Sequence, residues 1–188
     1  GRGYMDLHWH EELQFTVVTN GKPKLRVDGK LYTLDEGNGI FINRNLLHIT
    51  TEISDGGRYL SFNFPDKVVS FFSGSTMEEN FVLPYVGNYG IAVVELKRTT
   101  SWQKEVLDAL LKMEILFKRR REKRQAVERE EYQIAIKIVE IWYMMICNIE
   151  KSGKKISNSY IRKQERIQAM LSYIHNQYMH PMCLADIA

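Results

Sequence analysis

The sequence predicts an α+β fold in which an antiparallel β domain is followed by long helices. Through about residue 100, short segments rich in β-branched and aromatic residues alternate with turn signals. After Leu96 the apolar period changes from two to about 3.6, which is the period of an amphipathic helix. A length of 188 residues suffices for one complete core and part of a second.

The β domain is punctuated by glycine- and asparagine-containing turns. Seven strands are predicted at residues 13–19, 24–27, 30–34, 40–43, 47–52, 58–64 and 91–96. The pair Asp28-Gly29 predicts a two-residue hairpin turn, because both central positions of such a turn need positive φ. Strands this short and this numerous imply a sandwich or a small barrel.

Two long helices are predicted after the strands. In the first, apolar residues share one stripe that ends in the basic run 118–124; they are Trp102, Val106, Leu110, Met113 and Phe117. The second, at about 128–150, is apolar on two faces and must pack between two layers. One of those faces is our candidate for a dimer contact, with purely intramolecular packing as the alternative: it comprises Ile134, Ile138, Ile141 and Met145.

The chain divides into four predicted segments. Residues 1–100 form the β domain, and residues 101–155 form its helical cover and dimerisation segment. The polar stretch around Ser157-Asn158-Ser159 predicts a linker over 156–163. Residues 164–188 begin a further helical domain, since one helix and a stub cannot fold alone.

Composition excludes several classes of protein. No apolar run is long enough to span a bilayer, and the first residues carry no signal-peptide pattern. Cys147 and Cys183 lack the spacing of a metal site or a disulfide framework, so we expect a soluble, cytoplasmic protein. The net charge of +3 combines −2 over residues 1–100 with +5 over the rest. The basic run 118–124 is interpreted as a solvated helix end rather than a nucleic-acid footprint.

Three of the five histidines fall in the β domain. On an extended strand one face carries His8, His10, Glu12 and Gln14, whereas Leu13, Phe15 and Val17 share the other face. A face with two imidazoles, a carboxylate and an amide suits the lining of a polar cavity. His48 follows a short turn and is expected to return to the same cavity.

The first of two motifs is the run from His8 to Gln14, followed by Gly21, the Asp28-Gly29 hairpin and the stretch from Glu36-Gly37 to His48. It resembles the paired motifs of a cupin barrel, in the version found in the sensor domain of AraC-type transcription regulators. A second motif, from Arg166 to Ala188, resembles the opening of that family's DNA-binding domain. The two motifs stand in the family's order.

The resemblance implies a jelly-roll, cupin-like antiparallel β-barrel followed by two long helices and the start of a helix-turn-helix domain. It also implies a bacterial regulator that binds a small polar effector, such as a sugar or an organic acid, and forms a homodimer. DNA contact would come from a domain that is mostly outside this sequence. Cys183 departs from the pattern at a position where Ser or Thr usually caps the next helix.

Ligand-binding candidates are His8, His10, Glu12, Gln14, Arg26 and His48. Arg26 is a possible anion clamp, although an exposed charge on an edge strand is the simpler interpretation. The alternative to a sensor is a metal-dependent cupin enzyme, such as a dioxygenase or an isomerase. A barrel used only for oligomerisation is a third possibility.

We expect no metal, no other cofactor and no catalytic activity. Cupin enzymes hold a divalent ion with His-x-His, a Glu four residues later and a further His. Here Gln14 stands where that Glu would be, so the anionic ligand is replaced by a neutral amide. Within this sequence no nucleophile–base pair or phosphate-binding glycine loop is evident.

Overall fold

The computed structural model describes residues 6–53, 55–86, 91–122 and 128–151, together with a few positions between 169 and 183. The elements in chain order are β1 (Leu13–Asn20), β2 (Lys24–Val27), β3 (Lys30–Thr33), β4 (Gly39–Ile42), β5 (His48–Glu52), β6 (Arg58–Phe64), α1 (Lys67–Ser70), α2 (Thr76–Phe81), α3 (Leu83–Val86), β7 (Val93–Leu96), α4 (Ser101–Glu122) and α5 (Glu128–Lys151). The predicted strands and the two long helices are confirmed, and only their ends shift.

The strands form two antiparallel sheets. One has the order β6-β1-β4-β7 and the other has the order β3-β2-β5. The predicted hairpin joins β2 to β3, with φ of 46° at Asp28 and 80° at Gly29. Both angles lie in the left-handed region that the Asp-Gly pair tolerates.

The two sheets enclose an apolar cluster, which we call the apolar end of the barrel interior. Both sheets and the loops beside them contribute to it: its members are Val18, Leu25, Val27, Leu34, Ile40, Ile42 and Leu46. Ile40 and Ile42 of β4 pair with Thr16 and Gln14 of β1, so these four side chains face the same way. The barrel is therefore filled with side chains at this end.

The opposite face of the larger sheet carries the main core. Leu13, Phe15 and Val17 of β1 are fully buried there, in one cluster with apolar residues of α4 and α5. Gly39 permits the close approach of α4 to this sheet. A Cβ at that position would lie 2.3 Å from the carbonyl oxygen of Thr16 and 2.8 Å from Cδ2 of Leu107.

The face of α5 that we proposed for a dimer is covered within the chain. The exposed fraction is 7% for Ile134 and Ile138, 1% for Ile141 and 0% for Met145. These side chains belong to the main core and have almost no surface left for a partner subunit. These side chains therefore pack within the chain, as the alternative interpretation held. A dimer contact would have to be formed by another surface.

A third stripe of α5 is directed outward. Tyr132, Ile136 and Tyr143 are exposed by 75%, 55% and 64%, and Val139 between them is half-buried. Their spacing of four, three and four residues is that of a coiled-coil seam. We call these four residues the outer stripe of α5.

The predicted linker, 156–163, lies outside the described residues, as does most of the segment 164–188. The basic run 118–124 is described only in part. Among the described residues, no helix is both long enough and apolar enough to cross a bilayer.

Candidate functional site

The three predicted histidines meet at the other end of the barrel interior. His8 pairs with the start of β5 through its backbone: its N–H donates to the His48 carbonyl at 3.1 Å, and its carbonyl accepts from the His48 N–H at 2.9 Å. The His10 carbonyl accepts a bond from Asn45 N–H at 2.8 Å. The chain before β1 is thus held against β5. One ring nitrogen from each histidine lies within 4.8 Å of the other two.

Each imidazole is oriented by a backbone carbonyl at its Nδ1 atom. The pairs are His8 with Asp6 at 2.7 Å, His10 with Glu12 at 3.1 Å, and His48 with Leu46 at 2.7 Å. A carbonyl oxygen can only accept, so Nδ1 is the protonated nitrogen in each ring. In the neutral form of these imidazoles, Nε2 then carries the lone pair.

Gln14 lies between two of the imidazoles. Its Oε1 is 3.0 Å from Nε2 of His10 and 3.1 Å from Nε2 of His48. Its Nε2 donates to Oγ1 of Thr16 at 3.0 Å, and that hydroxyl lies 3.0 Å from Oγ of Ser61. Gln14 and Thr16 are buried, so this polar row continues into the barrel. We call His8, His10, Gln14, Thr16 and His48 the polar end of the barrel interior.

The pKa of His48 is lowered to about 4. Burial of the ring is the main cause, and the nearby His8 and His10 also disfavour a positive charge, whereas the bond to the Leu46 carbonyl acts in the opposite direction. His48 is therefore neutral at physiological pH, and its Nε2 can accept a hydrogen bond or ligate a cation.

Strand β6 supplies polar residues that the sequence analysis missed. Asn63 pairs with Gln14 across the sheet, and its Nδ2 lies 3.5 Å from Nε2 of His10. The hydroxyl of Tyr59 lies 3.2 Å from that of Thr50 in β5, which links the two sheets. The signal was present in the sequence, because β6 alternates polar and apolar side chains with a period of two.

The remaining two candidates lie away from the centre of the polar end. Glu12 precedes β1, and its Oε2 is 3.5 Å from Nδ1 of His10, on the side of the ring that faces away from Gln14. Arg26 is exposed, whereas its neighbours Leu25 and Val27 face inward. The structure therefore does not place Arg26 at the polar end of the barrel interior. Its strand β2 is also the central strand of its sheet, not an edge.

A separate cleft lies between β6 and the two long helices. Its volume is about 290 Å³, and it is lined mainly by apolar side chains, including Phe62, Met113, Phe117 and Ile138. We call it the helix-side cleft. Its apolar lining lies on the opposite face of the sheet from Gln14, but Ser61 and Asn63 of the edge strand β6 also line it, so the cleft borders the polar row.

Comparisons with known proteins show what this chain is similar to. Residues 1–87 match the family described as the AraC-like ligand binding domain. The chain is 27% identical over 187 residues to the uncharacterized HTH-type transcriptional regulator YdeC of Bacillus subtilis (strain 168). That alignment covers 99% of this chain but 60% of the relative. A crystal structure of apo ToxT from Vibrio cholerae aligns with 98% of this chain and 63% of its own, at 12% identity and a TM-score of 0.46.

Proposed function

Because residues 1–87 match the family described as the AraC-like ligand binding domain, we propose that this chain senses a small polar effector as part of an AraC-type transcription regulator. One observation carries the proposal. The barrel interior holds a convergent set of buried polar groups, centred on Gln14 and His48, beside an otherwise apolar filling. Convergent polar groups in a mostly apolar concavity are typical of small-molecule sites.

The donors and acceptors favour a hydroxylated effector. The neutral imidazole of His48 offers a ring nitrogen that accepts bonds from O–H groups, and the Asn63 amide at the rim both donates and accepts. Sugars and hydroxy acids carry several such groups in one small molecule. We therefore propose sugars and hydroxy acids as better candidate effectors than purely anionic ligands, because Arg26 lies outside the site.

We propose no catalytic role. The alternative, a metal-dependent cupin enzyme, has no observation in its favour over the regulator, since the family match is to a ligand-binding domain. The fold alone would not decide between them, because one barrel fold hosts both classes.

We propose that the chain forms a homodimer through the outer stripe of α5. A second copy is the occupant that this stripe fits best, because the spacing of Tyr132, Ile136, Val139 and Tyr143 allows two identical helices to interdigitate about a two-fold axis. The double variant Ile136→Glu with Tyr143→Glu should give monomers in sedimentation equilibrium. Leu31→Glu, on exposed strand β3, is the matched control and should leave the dimer intact; dimers in both variants would place the contact elsewhere.

We propose that DNA is contacted by a helix-turn-helix domain, which begins near residue 164 and continues in a longer protein. The chain spans about 60% of the length of the relative that it matches. A cytoplasmic location is part of the same proposal, and it is supported by the observation that neither Cys147 nor Cys183 is in a disulfide.

A thermal-shift panel of sugars and hydroxy acids tests the function. Compounds that bind should raise the melting temperature of the wild-type chain and of Arg26→Ala, but not that of Asn63→Leu, which removes a polar group at the rim without opening a core cavity. A positive compound should then change DNA retention by the full-length protein in a gel-shift assay. Equal shifts in Asn63→Leu and in the other two proteins would contradict the site.

A further inference from the structure

We propose that the outer edge of strand β6 is a docking site for an extended peptide segment of a partner protein, which adds a strand to the larger sheet. The segment carries apolar side chains at alternate positions and a carboxylate at its C-terminal end. The inference goes beyond the sensing function and does not rest on it, because it concerns the outer edge of the barrel and not its interior.

Strand β6 has the longest free edge among the described strands. It has seven residues and stands first in the order β6-β1-β4-β7. The other edge strands in the described part of the chain, β3, β5 and β7, have four or five residues, and each carries a lysine or a glutamate. Natural sheets protect their edges by short length, charge or proline. Residues 59–64 of β6 contain neither a charged residue nor a proline, so this edge is able to pair.

The register shows which backbone groups point outward at this edge. In β1, both backbone groups of Val18 bond toward the β4 side, each at 2.9 Å. Because alternate residues of an antiparallel strand bond to opposite sides, Phe15 bonds toward β6, to its partner Phe62. The residues on either side of Phe62 are then directed away from β1. The edge therefore presents the N–H and carbonyl groups of Ser61 and Asn63, which pair with no other described strand.

A groove along this edge gives an added strand room. The helix-side cleft contacts both Ser61 and Phe62, whose side chains face opposite sides of the sheet, so it opens at the edge itself. A second cleft of about 650 Å³ lies beside residues 57–60 and reaches Lys118 of α4. Helix α4 therefore flanks the edge along the length of β6. Extended peptides bind exposed edges through backbone hydrogen bonds, with pockets for alternate side chains.

The two halves of the groove differ in the side chains that they would accept. One half is apolar on the α4 side, where the rings of Phe62 and Phe117 lie 6.1 Å apart. In the other half Arg58 is exposed and forms no ion pair with any residue that the structure describes. Lys118 lies 3.6 Å from the mostly buried carboxylate of Glu114, so Arg58 leaves this half with a net positive charge. A strand antiparallel to β6 would end with its carboxylate beside Arg58.

A second copy of β6 fits this edge less well. In a two-fold antiparallel pair centred on Ser61, Arg58 of each copy would lie opposite Phe64 of the other. The exposed guanidinium group would then have no acidic partner. A segment that combines alternate apolar residues with a terminal carboxylate satisfies both halves of the groove.

The test is fluorescence anisotropy of the full chain with the labelled peptide Val-Thr-Val-Thr-Val-Thr-Glu. Paired antiparallel with residues 58–64, its valines would lie on the α4 side and its glutamate beside Arg58. We expect saturable binding. Hydrogen exchange measured by NMR should slow at the N–H groups of Ser61 and Asn63 when the peptide is added. Exchange at Phe62 should not change, because that N–H already bonds to β1.

Two variants test the backbone pairing and the charge separately. Ser61→Pro removes one outward N–H, and proline is tolerated on an edge strand where the N–H faces solvent. It should weaken binding about tenfold, whereas Ser61→Ala is the matched control, keeps that N–H and should bind as the wild type does. Arg58→Glu should weaken binding about fivefold, and a peptide that ends in lysine instead of glutamate should restore it.

The proposal is overturned if the folded wild-type chain does not bind the peptide, or if Ser61→Pro and Ser61→Ala bind it equally. Unchanged exchange at Ser61 and Asn63 would also overturn it. If Ser61→Pro does not fold, the charge reversal decides, since a peptide preference that is the same in Arg58→Glu and wild type contradicts the assigned orientation. Dimers that are lost in Ser61→Pro but kept in Ser61→Ala would assign the edge to a second copy instead.

Discussion

The two ends of the barrel interior meet at the paired strands β1 and β4 but differ in chemistry. At the apolar end, Ile40 and Ile42 of β4 pack against Leu25 and Val27 of the other sheet. At the polar end, the partners of those isoleucines across the sheet, Thr16 and Gln14, begin a row of hydroxyl, amide and imidazole groups. The change takes place between neighbouring strands, because in the pairs Gln14–Ile42 and Thr16–Ile40 the polar residue lies on β1 and the apolar residue lies on β4.

The difference separates stability from recognition. Burying apolar side chains stabilises the barrel by about 1.5 to 3 kcal/mol for each large residue. Burying polar groups contributes little net free energy even when they are paired, and is costly when they are not. A protein that needed only a stable barrel would have filled both ends alike. At the polar end, this fold therefore has polar groups that can bind a ligand in place of apolar side chains that would stabilise the barrel.

The largest loss of stability is expected from a substitution at the apolar end. Ile40→Ala removes fully buried methyl groups and leaves a cavity, so we expect a loss of about 3 kcal/mol in the free energy of unfolding. Urea denaturation measures it. The effector-induced shift in melting temperature should persist in this variant. A loss below about 1 kcal/mol would show that the apolar end collapses easily and is not a rigid base for the site.

A smaller effect is expected at the junction of the two ends. Thr16→Val keeps the shape of a fully buried side chain but removes the hydroxyl that accepts from Gln14. An unpaired buried amide N–H costs about 2 kcal/mol. The same denaturation assay measures the change, with Thr33→Val on exposed strand β3 as the matched control. If both variants lost equal stability, the polar row would not act as a connected unit.

The smallest effect is predicted outside the barrel. Arg26→Ala should change stability by no more than about 0.5 kcal/mol, because the side chain is exposed on the outward face of β2. Ligand affinity, measured by calorimetry on any compound from the thermal-shift panel, should be unchanged. A tenfold loss of affinity would return Arg26 to the site and weaken the distinction between inner and outer faces.

Much of this architecture could be predicted from local pattern. The Asp28-Gly29 turn and the change of period after Leu96 located the strands and the long helices, because both signals depend on near neighbours. The meeting of the three histidines was also predicted, although His8 and His10 precede β1 rather than lie on one face of it, as the prediction assumed.

What could not be predicted depends on non-local pairing. Asn63 joins the polar end only because β6 pairs with β1 in one register, and no local signal fixes that register. Similarly, α5 has apolar residues on several faces. Periodicity alone does not reveal that Ile138 faces the core whereas Ile136 is exposed to solvent. Arg26 failed as a candidate for the same reason, since its strand was central and its side chain pointed away.

The most direct test of the account is an NMR titration with compounds from the panel of sugars and hydroxy acids. It follows the imidazole ¹H–¹⁵N signals of the polar end beside the methyl signals of Met113 and Ile138 in the helix-side cleft. We predict that a binding compound shifts the signals of His8, His10 and His48 and leaves the two methyl signals in place. A compound that shifts the cleft methyls while the imidazole signals stay unchanged would contradict the assignment of the polar end as the sensor site.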